Sequence, residues 1–122
     1  MAKEFSRSRR VAEQIQRELA ELIPHEIDMP VAGVMVTVSG VDVSRDLSYA
    51  KVYITVMPTT DKLNEILKLL NKAAGYLRHH VGQRVTMRHI PELRFYYDSS
   101  IEEGARINAL INEAISKDKK QP

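Results

Sequence analysis

The chain has 122 residues, 43% hydrophobic and 28% charged, with a formal net charge of +2 and no cysteine. These values fit one domain with a buried core, exclude disulfides and thiolate metal sites, and leave no apolar run near the roughly 18 residues of a membrane span. The start, Met1-Ala2-Lys3-Glu4-Phe5, has no apolar core of a secretory signal, so a cytoplasmic location is expected.

The first helix is predicted from near Ser6 to just before Pro24. Val11, Ile15, Leu19 and Leu22 recur at helical spacing and form its buried stripe. Arg7, Arg10, Gln14 and Arg17 form a separate basic and polar stripe. With Arg9, these arginines read either as RNA contacts or as a solvated face holding local pairs such as Glu13 with Arg17. Pro24 and Pro30 bracket a loop.

A strand is expected from Val34 to Val43. Val34, Val36 and Val38 share one face, but beyond Gly40 the apolar parity flips to Val41 and Val43, which predicts a bulge at Ser39-Gly40. A second strand runs from Tyr49 to Met57 and pairs antiparallel with the first through the short Ser44-Arg45-Asp46-Leu47 link. Its Val52, Ile54 and Val56 face one way; Lys51, Tyr53 and Thr55 face the other. Thr59 or Thr60 caps the next helix. That helix carries Leu63, Ile66, Leu67, Leu70, Ala74, Leu77 and Val81 at helical spacing across a break at Ala73-Ala74-Gly75. Gly82 is its expected stop. A third strand covers Leu93 to Tyr97. Ser99-x-x-Glu102 opens a last helix whose buried stripe is Ile107, Leu110, Ile111 and Ala114. Residues 1–116 read as one domain and 117–122 as a short polar tail. The order helix, strand, strand, broken helix, strand, helix makes a two-layer α+β domain with helices over one face of a three-stranded sheet.

Positive charge is segregated. Ile66 to Pro91 contains no acidic residue, yet carries Lys68, Lys72, Arg78, Arg84 and Arg88, with His79, His80 and His89. The rest of the chain holds 13 basic against 16 acidic residues. Exclusion of acids is what a phosphate-facing surface requires. Within the run, Ala73-Ala74-Gly75 has two readings. Small residues allow close packing, or they let a phosphate backbone approach the amides of a helix N-terminus. Catalysis and metal binding find no support. There is no nucleophile elbow, Walker loop or H-E-x-x-H pattern, and adjacent His79 and His80 diverge by roughly 100° on a helix. Asp46 reads as a turn residue and Asp98 as a helix-start residue. No cofactor is expected.

Several segments, in this order, resemble the bacterial ribosome-binding factor A family over nearly the whole chain. They are Arg10-Val11 with Ile15 and Leu19, then Val41-Asp42-Val43-Ser44-Arg45-Asp46-Leu47-Ser48-Tyr49-Ala50-Lys51-Val52-Tyr53, then Gly75-Tyr76-Leu77-Arg78. Arg88-His89-Ile90-Pro91-Glu92-Leu93-Arg94-Phe95, Asp98 and Gly104-x-Arg106-Ile107 complete the set. The resemblance implies a type II KH-like domain with a mixed sheet, in which Ala73-Ala74-Gly75 looks like the family's Ala-x-Gly in place of the G-x-x-G loop. It implies a non-catalytic, late-acting assembly factor that binds the free, immature 30S subunit. It further implies help in maturing 16S rRNA, including the 5′ end region, and a tie to cold adaptation. Some members carry a longer, disordered C-terminal extension, whose role is not carried over. A monomer is expected, with ribosomal proteins and an assembly GTPase as further partners.

RNA contact is thus expected from Arg7, Arg9, Arg10, Arg17, Lys68, Lys72, Ala73, Ala74, Gly75, Arg78, His79, Arg84 and Arg88. Two other readings compete. One is a protein-interaction module working through the sheet face bearing Lys51, Tyr53 and Thr55; the other is a small α+β enzyme.

Overall fold

The computed structural model describes residues 2–85, 87 and 89–120, with side-chain surroundings described for residues 7–85, 87, 89–100, 103–104 and 106–115. Seven elements follow one another: α1 (Ala2–Glu26), β1 (Met35–Val43), β2 (Tyr49–Met57), α2 (Leu63–Lys72), α3 (Ala74–Arg84), β3 (Glu92–Tyr97) and α4 (Ser100–Lys120). The sheet order is β1-β2-β3. β1 pairs antiparallel with β2 across its short link, and β3 lies parallel to β2. A parallel return needs a crossover, which α2 and α3 supply. The sheet is therefore mixed, as the family resemblance implies.

Alternation on the strands decides which face is covered. Val38 and Val43 of β1, Ala50, Val52, Ile54 and Val56 of β2, and Leu93 and Phe95 of β3 point into the core. Ile15, Leu19, Leu22 and Ile23 of α1 meet them, with Ile66 and Leu70 of α2 and Leu77 and Val81 of α3. The pairing register shifts between Val38 and Gly40, which is the bulge that the parity flip demands. β3 is an edge strand, and Asn71 of α2 holds it: the side-chain amide donates to the Phe95 carbonyl at 3.1 Å and accepts the Phe95 N–H at 2.8 Å.

The helix break is a single residue. Ala73 stands between α2 and α3 with φ −86° and ψ 2°. Its amide donates to the Leu69 carbonyl and its carbonyl accepts the Leu77 amide, both at 2.9 Å. The chain thus changes direction while keeping its backbone bonds on either side.

Several local expectations are corrected. α1 runs through Pro24 and ends two residues later at Glu26, so the proline falls in the last turn, where the helix it would disrupt is already ending. It also starts at Ala2 rather than near Ser6. α2 begins at Leu63, and Thr60 accepts the Lys62 amide at 3.1 Å just ahead of it instead of capping the helix directly. Gly82 lies inside α3, which continues to Arg84; a Cβ there would sit 3.3 Å from Ile90 Cγ1, so the glycine admits that side chain. Ser99 Oγ donates to Glu103 at 3.0 Å, while the side chain of Glu102 lies outside the described residues. α4 continues to Lys120, past the point where a tail was expected. Its apolar stripe is not buried: Ile107, Leu110 and Ile111 are 52%, 58% and 50% exposed, and Ala114 is exposed too. The covered face of the sheet is already filled by α1, α2 and α3, and among the described residues α4 has no extensive contact with any other element.

Truncating a fully buried side chain and an α4 stripe residue therefore has different costs. Leu77→Ala should destabilise by about 2–5 kcal/mol, and Ile111→Ala should stay within about 0.5 kcal/mol of the parent. Denaturant unfolding followed by circular dichroism measures both.

Candidate nucleic-acid interface

The break presents three small residues with different surroundings. Ala73 and Ala74 are half-buried and pack against the core. Gly75 is exposed, and a Cβ built on it would meet nothing within 4 Å. Packing accounts for the two alanines but not for the glycine. At the start of α3 the first amides lack acceptors within that helix, and its dipole is positive there.

Around this point the structure assembles a basic strip. Gly75, Arg78, His79, Gly82, Gln83, His89 and Ile90 line an open groove. Arg78 is fixed in it, since its Nε donates to the Ile90 carbonyl at 2.9 Å. His79 lies 3.3 Å from Gln83, Nε2 to Nε2. His89 also borders a second cavity of about 420 Å³, lined by Arg7, Arg10, Val11, Gln14, Asp46, Leu47 and Met87. The groove beside the break and the arginines of α1 are thus joined through His89. Sequence reading placed His89 in the acid-free run but not among the contact residues; only the fold shows that it bridges the two clusters.

Other expected contact residues fall elsewhere. Arg9 turns to the opposite flank of α1, into a cleft of about 360 Å³ with Ala12, Val41, Asp42, Ser44 and Arg45. Arg17 is exposed, and its expected pair with Glu13 is absent among the described residues. Lys68 and Lys72 project from α2 into solvent, with no ion pair among the described residues. Arg84 is occupied: its guanidinium meets Glu18 at 3.4 Å and Glu21 at 3.3 Å. Arg88 lies outside the described residues.

The acid-free run is therefore not acid-free in space. Glu18, Glu21 and Glu26 of α1 come against one flank of α3. The Tyr76 hydroxyl donates to Glu26 at 2.8 Å, and that carboxylate pushes the phenol above its ordinary range. Tyr76 also meets His80 edge-on at 4.4 Å. The flank toward His89 carries Arg78, Arg7 and Arg10, with the carboxylate of Asp46 among them.

The carboxylates Asp46 and Asp98 do local work. Asp46 accepts from Ser48 Oγ at 2.6 Å, Ser44 Oγ at 2.8 Å and the Ser48 amide at 3.1 Å. This holds a tight link in which Leu47 has φ 62°. Asp98 accepts the Ser100 amide at 2.9 Å, opening α4, and Ser39 Oγ at 2.6 Å, tying the bulge of β1 to the end of β3. Hydrogen bonds from Ser48 and Ser44 hold the Asp46 carboxyl below its ordinary value, and bonds from Ser100 and Ser39 do so for Asp98.

With this geometry in view, a sequence model described as ribosome-binding factor A matches residues 7–111. The chain belongs to that family. The ribosome-binding factor A of Ectopseudomonas mendocina (strain ymp) is 51% identical over 123 residues, covering 98% of this chain and 95% of its own. The crystal structure of the factor from Thermus thermophilus superposes with a TM-score of 0.64 at 29% identity, covering 74% of this chain and 93% of that one. A homology model of the Thermus thermophilus factor, fitted into a cryo-EM map of a 30S complex, gives a TM-score of 0.60 at 30% identity, covering 72% and 91%.

Two outcomes test this description. Gly75→Ala should leave stability unchanged or raise it by up to about 1 kcal/mol, because alanine is the better helix residue and nothing blocks it. Thermal unfolding decides this. Asp98 has a lowered pKa, so its hydrogen bonds contribute stability above the ordinary value of 3.8, and that contribution is lost as pH falls through the lowered pKa. Asp98→Asn should flatten the acid limb of Tm against pH below that value.

Proposed function

We propose that this chain binds the free, immature 30S subunit and assists late maturation of its 16S rRNA, including the 5′ end region. It does so by holding one rRNA conformation, without bond chemistry. The observation that carries the reading is the strip from Gly75 through Arg78, His79 and His89 to Arg10 and Arg7, with Lys68 and Lys72 on the helix before the break. Family membership and the 30S complex of the Thermus thermophilus relative support it. Residues 1–116 act as the binding domain, and the cytoplasm, a monomeric state and a role in cold adaptation belong to the same reading.

The mechanism follows from the partner's shape. A-form RNA hides its base edges in a deep, narrow major groove, so the strip reads phosphate positions rather than sequence. Gly75 lets a phosphate come close to the first amides of α3, and the half-buried Ala73 and Ala74 keep that approach low. Arg78, pinned on Ile90, offers its remaining guanidinium donors at a set position. Arg7, Arg10 and the α2 lysines extend the contact; Arg9 and Arg17 add charge around it, and Arg84 positions α3 against α1. Preferential binding to one rRNA fold shifts the population toward it. Asp46 and Asp98 are engaged in a turn and a helix start, which supports a non-catalytic role.

Reversing charge at the α1 end of the strip and on the helix before the break, Arg10→Glu with Lys72→Glu, should abolish co-sedimentation with free small subunits at physiological salt. It should also lessen the slope of log affinity against log salt, by about 0.7–0.9 per lost phosphate contact. Gly75→Ala should weaken binding while preserving the fold. Undiminished co-sedimentation of the double variant rules out the strip.

A further inference from the structure

The face of the sheet turned away from the helices is open and has its own chemistry. On β2 it carries Tyr49, Lys51, Tyr53 and Thr55. In the β2-β3 register Lys51 lies beside Arg94 and Tyr53 beside Tyr96. The Tyr53 and Tyr96 rings have centroids 6.0 Å apart and are tilted by 36°, so they stand side by side and neither covers the other. On the other flank Tyr53 faces Gly40, where no side chain intrudes and even a Cβ would find open space. In the adjacent row Lys51 stands between Arg94 and Asp42, two cations and one carboxylate. Arg94 lies 4.4 Å from the centre of the Tyr49 ring and is steadied by Glu92 at 3.8 Å. Lys51 has no ion-pair partner among the described residues.

We propose that this face is a second RNA site, at which Tyr53 and Tyr96 stack unpaired bases of a single-stranded segment while Lys51 and Arg94 take its phosphates. The inference rests on RNA being the partner, but not on the strip along α3. Aromatic rings side by side on a sheet, next to cations, are the arrangement that holds single strands by stacking. The tyrosine and cation rows are two residues apart along β2, about 6.6 Å, so one nucleotide reaches both. A protein partner fits less well. The centre of a protein interface is depleted of charge and seats anchors in sockets. Here Lys51, Arg94 and Asp42 lie mid-face, the large apolar pair Met35 and Met57 lies at the far end, and no described cavity opens beside the tyrosines, the nearest being the clefts that Asp42 and Met35 border along β1.

The test uses the full chain and a labelled uridine hexamer, followed by fluorescence anisotropy. Tyr53→Ala with Tyr96→Ala should weaken binding about ten-fold or more, whereas Tyr53→Phe with Tyr96→Phe should retain it. Thermal unfolding checks that both fold. The salt slope should be shallow, near −1.4 for about two single-strand phosphates, and Arg10→Glu with Lys72→Glu should leave hexamer binding intact. Equal affinity of the alanine and parent proteins overturns the inference. So does loss of hexamer binding in the Arg10 and Lys72 variant alone, a result that leaves the strip itself standing. If the alanine variant keeps the hexamer but loses a subunit contact that survives nuclease, the face docks a protein and the proposal fails.

Discussion

Burial of a single face of the β1-β2-β3 sheet sets the position of everything that matters on this molecule. Ile54, Val52, Leu93 and Phe95 must be kept from water, and α1, α2 and α3 together span the area that they present. The excursion from β2 lays both α2 and α3 against β3, with the bend between them at Ala73, while α1 covers β1. The bend brings the start of α3 to the surface, with the glycine exposed. It also lays α3 against α1, where Arg84 closes on Glu18 and Glu21. Covering one face leaves the other to solvent, and leaves α4 without a sheet surface to pack on.

The contact between α1 and α3 also sorts charge. α1 is basic toward its start, at Arg7 and Arg10, and acidic toward its end, at Glu18, Glu21 and Glu26. Its acidic half neutralises Arg84 and engages Tyr76. Its basic half meets His89 across the second cavity. One flank of α3 therefore presents arginines with the carboxylate of Asp46, and the other presents the carboxylates of Glu18, Glu21 and Glu26. Such asymmetry orients an approaching ligand more than it adds affinity.

Much of this architecture was legible because it depends on local periodicity. The stripe of α1, the bulge at Ser39-Gly40, the limits of β2 and the break at Ala73 all leave marks in neighbouring residues. What could not be read depends on packing between distant segments. Gly82 looks like a helix stop until Ile90 is seen against it. Arg84 looks like a free cation until α1 brings its acids alongside. The stripe on α4 has correct helical spacing, but spacing says only that a face is apolar, and not that a partner exists to cover it. At the interface, sequence identified the charge and the break, while the bridging place of His89 required the loop before β3 to fold back toward α1.

The glycine at the break carries the strongest argument for function. Ala73 and Ala74 are explained by the core that they touch, so their small size needs no ligand. Gly75 touches nothing that alanine would disturb, and it occupies a helical position where alanine is favoured by up to about 1 kcal/mol. A residue that gives up stability without relieving a clash points to something outside the folded chain. Its neighbours are a helix N-terminus, a pinned arginine and a groove leading to further arginines. The missing methyl group is thus explained by no contact inside the chain, and it lies beside the groove that Arg78 and His89 border.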